Sequence, residues 1–243
     1  TGNKFEFRMV GSSDSVAGPN TILNAIVAEA FCEAADILEK AEDFDLAVHD
    51  LIKEYMTKHQ RIIFNGDGYS EEWVAEAKRR GLPNIKSTIE ASEALTTEKA
   101  VKLFEKFGIF TRVELESREE ITYEIYAKTL NIEALTMIDM VAKKYIPAIV
   151  KYTKFLADAV LAVREAGADA SVQLGLLNEV SAKLATAKNA LAKLETVSGE
   201  AASMKNGKEK AFFYKDVVKV AMDELRAPID ELEKMISDYR KGK

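Results

Sequence analysis

LNEVSAKLATAKNALAKL, residues 177–194, sets Leu177, Val180, Leu184, Ala187, Leu191 and Leu194 at alternating intervals of three and four. That spacing draws one apolar stripe along an α-helix and keeps it turned towards a neighbouring helix. The same texture extends outward from it. From about Glu114 to its end the chain holds only two prolines and five glycines. Upstream, a very long helical pattern passes through Ile121, Ile125, Leu135, Ile138, Tyr145, Ile149, Tyr152, Leu156 and Val163, with a kink expected at Pro147. Gly167-Ala168-Asp169 reads as a hairpin turn. A second turn is expected around Asn206-Gly207, and Pro228 marks a second kink in a last helix carrying Val218, Ala221, Leu225, Leu232, Met235 and Tyr239. Three antiparallel helices with these residues as core make a bundle or projecting hairpin.

Residues 61–113 change texture. Ile62-Ile63-Phe64 is long enough only for a small strand or a buried connector. Asn65-Gly66-Asp67-Gly68 is turn chemistry, since glycine adopts positive φ freely. It lacks the carboxylate ladder and closing glutamate of a calcium loop. Ser70 caps a short helix that ends at Gly81 before Pro83, and Thr97 caps another that Gly108 stops. The scattered cations Arg61, Arg79, Arg80 and Lys86 read as solvated charge.

Residues 1–60 contain two helical patterns. One runs from Thr21 to about Lys40 through Ile22, Leu23, Ile26, Val27, Ala30, Phe31, Ala34 and Leu38. Gly18-Pro19-Asn20 reads as a break before it, with Asn20 or Thr21 as its cap. The other runs from about Phe44 to Gln60 through Leu46, Val48, Leu51, Ile52, Tyr55 and Met56. The fold class expected is predominantly α: a short β-strand and a set of helices over 1–60, a connector with short helices over 61–113, and the helical bundle over 114–243.

Composition narrows the class of partners. A formal charge of -6 and the lack of any basic block argue against a nucleic-acid surface. No apolar run is long enough to span a bilayer and no signal peptide is evident, so no membrane partner is expected and a cytoplasmic setting fits. Cys32 is the single cysteine and reads as a small hydrophobe in a helix. His49 and His59 sit in helical stretches and read as surface or packing residues. Thr1 is not an initiator methionine, and the chain reads as the C-terminal part of something longer.

The chemistry is concentrated in Gly2-Asn3-Lys4-Phe5-Glu6-Phe7-Arg8-Met9-Val10-Gly11. Its period-two alternation puts Lys4, Glu6 and Arg8 on one side of a strand and Phe5, Phe7 and Met9 on the other. A cation, a carboxylate and a guanidinium in one row can hold a divalent ion and clamp an anionic substrate. The same spacing also describes the solvated side of an amphipathic edge strand. The polar loop Gly11-Ser12-Ser13-Asp14-Ser15 could offer backbone N–H groups to a phosphate or simply connect strand to helix.

Lys4-Phe5-Glu6-Phe7-Arg8, then Gly11-Ser12-Ser13, then Ala17-Gly18-Pro19-Asn20 before an apolar helix, resembles type III glutamine synthetase. Two further stretches are similar to the same family: Arg61-Ile62-Ile63-Phe64-Asn65-Gly66 with Tyr69-Ser70-Glu71-Glu72-Trp73, and Ile132 to Met140. The resemblance runs from Gly2 to about Pro228 and is most specific in the first twenty residues. It implies that 1–60 is the C-terminal portion of a catalytic domain that is α+β in the full-length enzyme, with 114–243 a helical C-terminal extension. It implies a glutamate–ammonia ligase making glutamine from glutamate, ammonia and ATP through a γ-glutamyl phosphate. Under it Glu6 is a metal ligand for Mg²⁺ or Mn²⁺. Arg8 is the catalytic and substrate-binding arginine, and Lys4 is a nucleotide-binding contact where other types of the enzyme use Arg. It further implies a ring-built homo-oligomer, such as a dodecamer. The remaining metal ligands belong to sequence upstream of this strand, so the chain alone is expected not to turn over. A helical oligomerisation or interaction module without catalysis is the competing reading, and another carboxylate–amine ligase or a guanidino kinase a third. The chain ends at Tyr239-Arg240-Lys241-Gly242-Lys243 without the aromatic, proline-containing tail that the resemblance implies.

Overall fold

A computed structural model describes residues 14–240, with side chains to Ile236. Among these residues the chain is predominantly helical and contains no strand. The strand expected over 2–11 lies outside the described residues. The molecule divides into two compact units between Glu119 and Glu120.

The first unit begins with α1 (Ala17–Leu38) and α2 (Phe44–Lys58). Gly18-Pro19-Asn20 was expected to precede α1 but occupies its first turn. Proline is tolerated there because the first N–H groups of a helix have no intrahelical acceptor. The Thr21 hydroxyl, expected as a cap, instead donates to the Ala17 carbonyl at 2.8 Å within the helix. Asp43 caps α2 by accepting from the Leu46 N–H at 3.0 Å. Ile62 closes a 3₁₀ turn rather than starting a strand, and Ile63 leaves it in extended conformation.

α3 (Glu71–Arg79) is capped by Ser70 and α5 (Glu98–Lys106) by Thr97, as the capping residues indicate. Gly81 and Gly108 follow them at φ +70 and +63. Between these helices lies α4 (Thr88–Ser92), which the periodicity does not reveal. Its signal is Ser87-x-x-Glu90: the Ser87 hydroxyl accepts from the Glu90 N–H at 3.3 Å and donates to the Glu90 carboxylate at 2.8 Å. The small core of this unit gathers Ala25, Val101, Phe104 and Leu115.

α6 (Arg112–Met140) carries the chain across the division. In the second unit it continues through a π-helical turn, Val141–Tyr145, into α7 (Ile146–Glu165). The expected disturbance at Pro147 takes this form. Proline cannot donate to, and crowds, the carbonyl four residues back, and a wider turn before it relieves that contact. Gly167, at φ +75, then reverses the chain into α8 (Ser171–Ser203). Asn206 caps α9 (Gly207–Phe213), which passes through a second π turn, Tyr214–Val218, into α10 (Lys219–Arg240). Pro228 sits inside α10, which continues helical past it.

Short turns make the successive helices antiparallel. Cross-pairs confirm the register: Lys183 meets Glu231 and Lys193 meets Glu224, each at 2.5 Å, so α8 and α10 run in opposite directions. The predicted seam on α8 is the core, with Val180, Ala187, Leu191 and Leu194 all fully buried. They pack with Ile149 and Leu156 of α7 and Leu225 and Leu232 of α10.

α6 departs from its expected pattern. Ile121, Ile125 and Leu135, expected as core, are 50%, 59% and 52% exposed. The buried stripe is Tyr123, Ala127, Ala134 and Val141 instead. Both stripes have helical spacing; Ala127, Ala134 and Val141 of the buried one belong to the same core cluster as Tyr214 and Ala221, and the Tyr214 hydroxyl donates to Asn131 Oδ1 of α6 at 2.9 Å.

Candidate functional site

Lys4, Glu6 and Arg8 lie outside the described residues, as do Gly11, Ser12 and Ser13 of the polar loop. The described part of that loop runs directly into α1, where the Ala17 N–H donates to the Ser15 hydroxyl at 3.2 Å. α1 is tied to α5 by Lys106, whose ammonium meets the Glu29 carboxylate at 2.5 Å.

No group of three or more His, Cys, Asp or Glu side chains among the described residues is placed to hold a metal ion. His49 is exposed, with Nδ1 at 3.3 Å from its neighbour Asp50, and His59 lies edge-on to Tyr55 at 6.1 Å between ring centres. Neither joins a ligand set. Cys32 is half-buried in α1 and unpaired, as its single occurrence requires. The described residues thus do not by themselves fit a divalent-metal centre.

What the first unit does build is a clasp that the scattered-cation reading missed. Phe64 stacks on Trp73 with ring centres 3.9 Å apart and planes at 20°. The Arg80 guanidinium lies 5.4 Å from the Trp73 ring centre and donates through Nη1 to the Ile63 carbonyl at 2.8 Å. Arg80 Nε and Arg79 Nε each donate to the Glu76 carboxylate at 2.6 Å. Those hydrogen bonds, Arg79's first, lower the Glu76 carboxyl to about 2. The clasp fastens the connector after α2 onto α3. Its sequence signal was an aromatic at 64, one at 73 and a cation seven residues beyond, a spacing that becomes meaningful only once the Asn65–Gly68 turn folds back.

The second unit holds a cavity of about 500 Å³ between α6 with its π turn and α10. Met137, Met140 and Tyr145 line one wall, and Met222, Leu225 and Ile229 the other. Glu133, Arg226, Asp230 and Glu233 stand around it. The sequence reading placed Tyr145 and Leu225 as core and Ile132 to Met140 as a family-like stretch, but gave no sign of a cavity, because each residue belongs to an ordinary helical apolar or polar stripe.

Comparison with known proteins gives these units their setting. The family model for the glutamine synthetase C-terminal domain matches residues 47–164. The type-3 glutamine synthetase of Dictyostelium discoideum is 37% identical over 98% of this chain and 34% of its own length. The glutamine synthetases of Butyrivibrio fibrisolvens and Bacteroides fragilis (strain YCH46) are 35% and 31% identical, again over 98% of the chain and 34% of the relative. The chain spans about a third of the length of the curated relatives it matches. Similarity to glutamine synthetases thus runs through both units of the chain, and residues 47–164 match the model of that enzyme's C-terminal domain.

Proposed function

We propose that this chain is the C-terminal part of a glutamate–ammonia ligase, which joins ammonia to the side-chain carboxylate of glutamate at the expense of ATP. The observation that carries the reading is 31–37% identity to glutamine synthetases, sustained over 98% of the chain. A physical feature supports it. α1 buries only Ala25 while Ile22, Ile26, Val27, Phe31 and Ile37 are all 40% exposed or more. A helix apolar on several sides belongs inside a larger body. The catalytic domain of the whole enzyme supplies one.

In this reading the glutamate carboxylate takes the terminal phosphoryl group of ATP, releasing ADP, and ammonia then displaces phosphate to leave the amide. Arg8 binds the glutamate side chain and the charge that develops on it, for which a planar guanidinium fork is suited. Lys4 contacts the nucleotide phosphates as a point charge. Glu6 is one ligand of a Mg²⁺ or Mn²⁺ ion, which neutralises phosphate charge when bound. The other ligands belong to parts of the enzyme beyond this chain, and the assembly is a cytoplasmic ring-built homo-oligomer, a dodecamer. Residues 1–60 close the catalytic domain, 61–113 connect, and 114–243 extend it.

The test uses the full-length enzyme. Glu6→Gln is expected to reduce ATP- and ammonia-dependent amide formation at least about a hundredfold and to weaken Mn²⁺ binding read by electron paramagnetic resonance. Arg8→Lys is expected to raise the KM for glutamate while sparing nucleotide binding. Unchanged turnover and Mn²⁺ binding in Glu6→Gln would overturn the assignment. Removal of residues 114–243 tests the helical extension in assembly, and an unaltered oligomer mass would remove that role.

A further inference from the structure

The cavity between α6 and α10 is not explained by the ligase reading and stands independently of it. Its volume, about 500 Å³, lies in the range of sites that take small organic molecules. Its position between helices of a bundle is a common place for such sites. Three of the chain's seven methionines, Met137, Met140 and Met222, line it. Unbranched thioethers adapt to irregular apolar bodies and contact aromatic rings favourably. A π turn adjoins each wall. Val141 and Tyr145 belong to the first, and Met222 follows the second by one helical turn. Such departures from α geometry recur where helices bend around a site.

Charge decides the class of ligand. Around the cavity stand three carboxylates, Glu133, Asp230 and Glu233, and one guanidinium, Arg226. Arg226 Nε is taken up by Asp230 at 3.1 Å, so that pair is neutral. Lys219, on the turn of α10 before Met222, is engaged first by Asp223 at 2.8 Å and is attracted more weakly by Glu133. Glu133 and Glu233 make no ion pair among the described residues. The surroundings are therefore net negative above an apolar floor. A nucleotide, a phosphate or an amino-acid carboxylate is repelled there, and a purely apolar molecule leaves the two carboxylates unused.

We propose that this cavity binds a small amphipathic organic cation, an ammonium carrying an aromatic or branched apolar body, with Glu133 and Glu233 meeting the charge and the methionines the body. The ligand approaches from the exposed side, where Glu133 and Thr136 are open to solvent.

The experiment follows methionine methyl resonances of the full 243-residue chain during titration with 2-naphthylmethylammonium. The neutral 2-naphthylmethanol and the anionic 2-naphthylacetate serve as matched probes. Met137, Met140 and Met222 are expected to shift and saturate with the ammonium, while Met56 and Met204 stay in place. The alcohol is expected to bind about five- to tenfold more weakly, the strength of two exposed charge pairs, and the acid to cause no shift at the same concentration. Glu133→Gln combined with Glu233→Gln should bring the ammonium down to the affinity of the alcohol without altering the alcohol itself. Thr136→Trp, an exposed substitution at the cavity, should abolish all three shifts while far-ultraviolet circular dichroism stays unchanged. An equal response to all three probes, or shifts spread over every methionine, would overturn the proposal. So would shifts at the cavity methionines on dilution without any probe, because a second copy of the chain would then be the occupant.

Discussion

At the scale of single residues, the clasp around Trp73 is the most sharply determined feature of the first unit. A methyl group at Gly66 would stand 2.7 Å from Phe64 Cζ, so the ring would have to leave its stack. Gly66→Ala is therefore expected to destabilise by about 1 kcal/mol, the value of an aromatic pair, read from denaturant unfolding. Trp73 is the single tryptophan, so its fluorescence reports the clasp directly. Glu76 adds a pH dependence. Its carboxyl is lowered in the folded chain from 4.5 to about 2 by Arg79 and Arg80. A depressed acid contributes its stability in full above the unfolded value and loses it as pH falls through the folded one. Acid titration of Trp73 fluorescence should show a transition in the window from about pH 4.5 to pH 2, and Glu76→Gln should remove the part due to this group. A third residue sits in the bundle. The Ser198 hydroxyl is buried in α8 with no hydrogen-bond partner among the described residues. Ser198→Ala should raise stability by about 1 kcal/mol, since an unpaired buried polar group costs that much or more. The caps Ser70 and Thr97 were legible from sequence because caps act within four residues, whereas Ser87 was passed over and Thr21 turned out to bond within its helix. The role of Arg80 was not, because its partners Ile63 and Trp73 meet it only through a turn.

At the scale of elements, α6 separates pattern from packing. It carries two apolar stripes offset by a residue or two, and hydrophobic periodicity weights the bulkier one with Ile121, Ile125 and Leu135. The structure buries the other. Leu135→Ala is expected to change stability by less than about 0.5 kcal/mol, whereas Ala134→Leu should destabilise by about 1–3 kcal/mol through overpacking. Chemical denaturation of the two variants distinguishes the stripes, and the opposite order would restore the periodicity reading. α8 had one stripe only and was read correctly, so Leu191→Ala should cost about 2–5 kcal/mol. The ion pairs joining α8 to α10 mark register more than they stabilise it, since exposed pairs contribute roughly 0–1 kcal/mol. Pro147 was expected as a kink, and its effect emerged as a π turn, a form set by how α7 must continue to pack on α8.

At the scale of the whole molecule, the apolar surface of α1 is the feature that reaches beyond this chain. Phe31 is 70% exposed here. If the proposed catalytic domain covers it, Phe31→Asp should leave the melting temperature of the isolated chain nearly unchanged and destabilise the full-length enzyme by about 2 kcal/mol or more, the value of burying one such ring. Equal effects in both would place α1 at a free surface.

The residues alone determined that the chain is predominantly helical, where α3 and α5 are capped and stopped, which stripe of α8 is core, and the family resemblance carried by Lys4, Glu6 and Arg8. These are local or periodic properties, governed by contacts a few positions apart. Tertiary structure alone decided which stripe of α6 is buried, that Arg80 closes a clasp, and that three methionines and the carboxylates Glu133 and Glu233 surround one cavity. Those facts depend on how closely two backbones approach, and that distance is set by the joint packing of both partners.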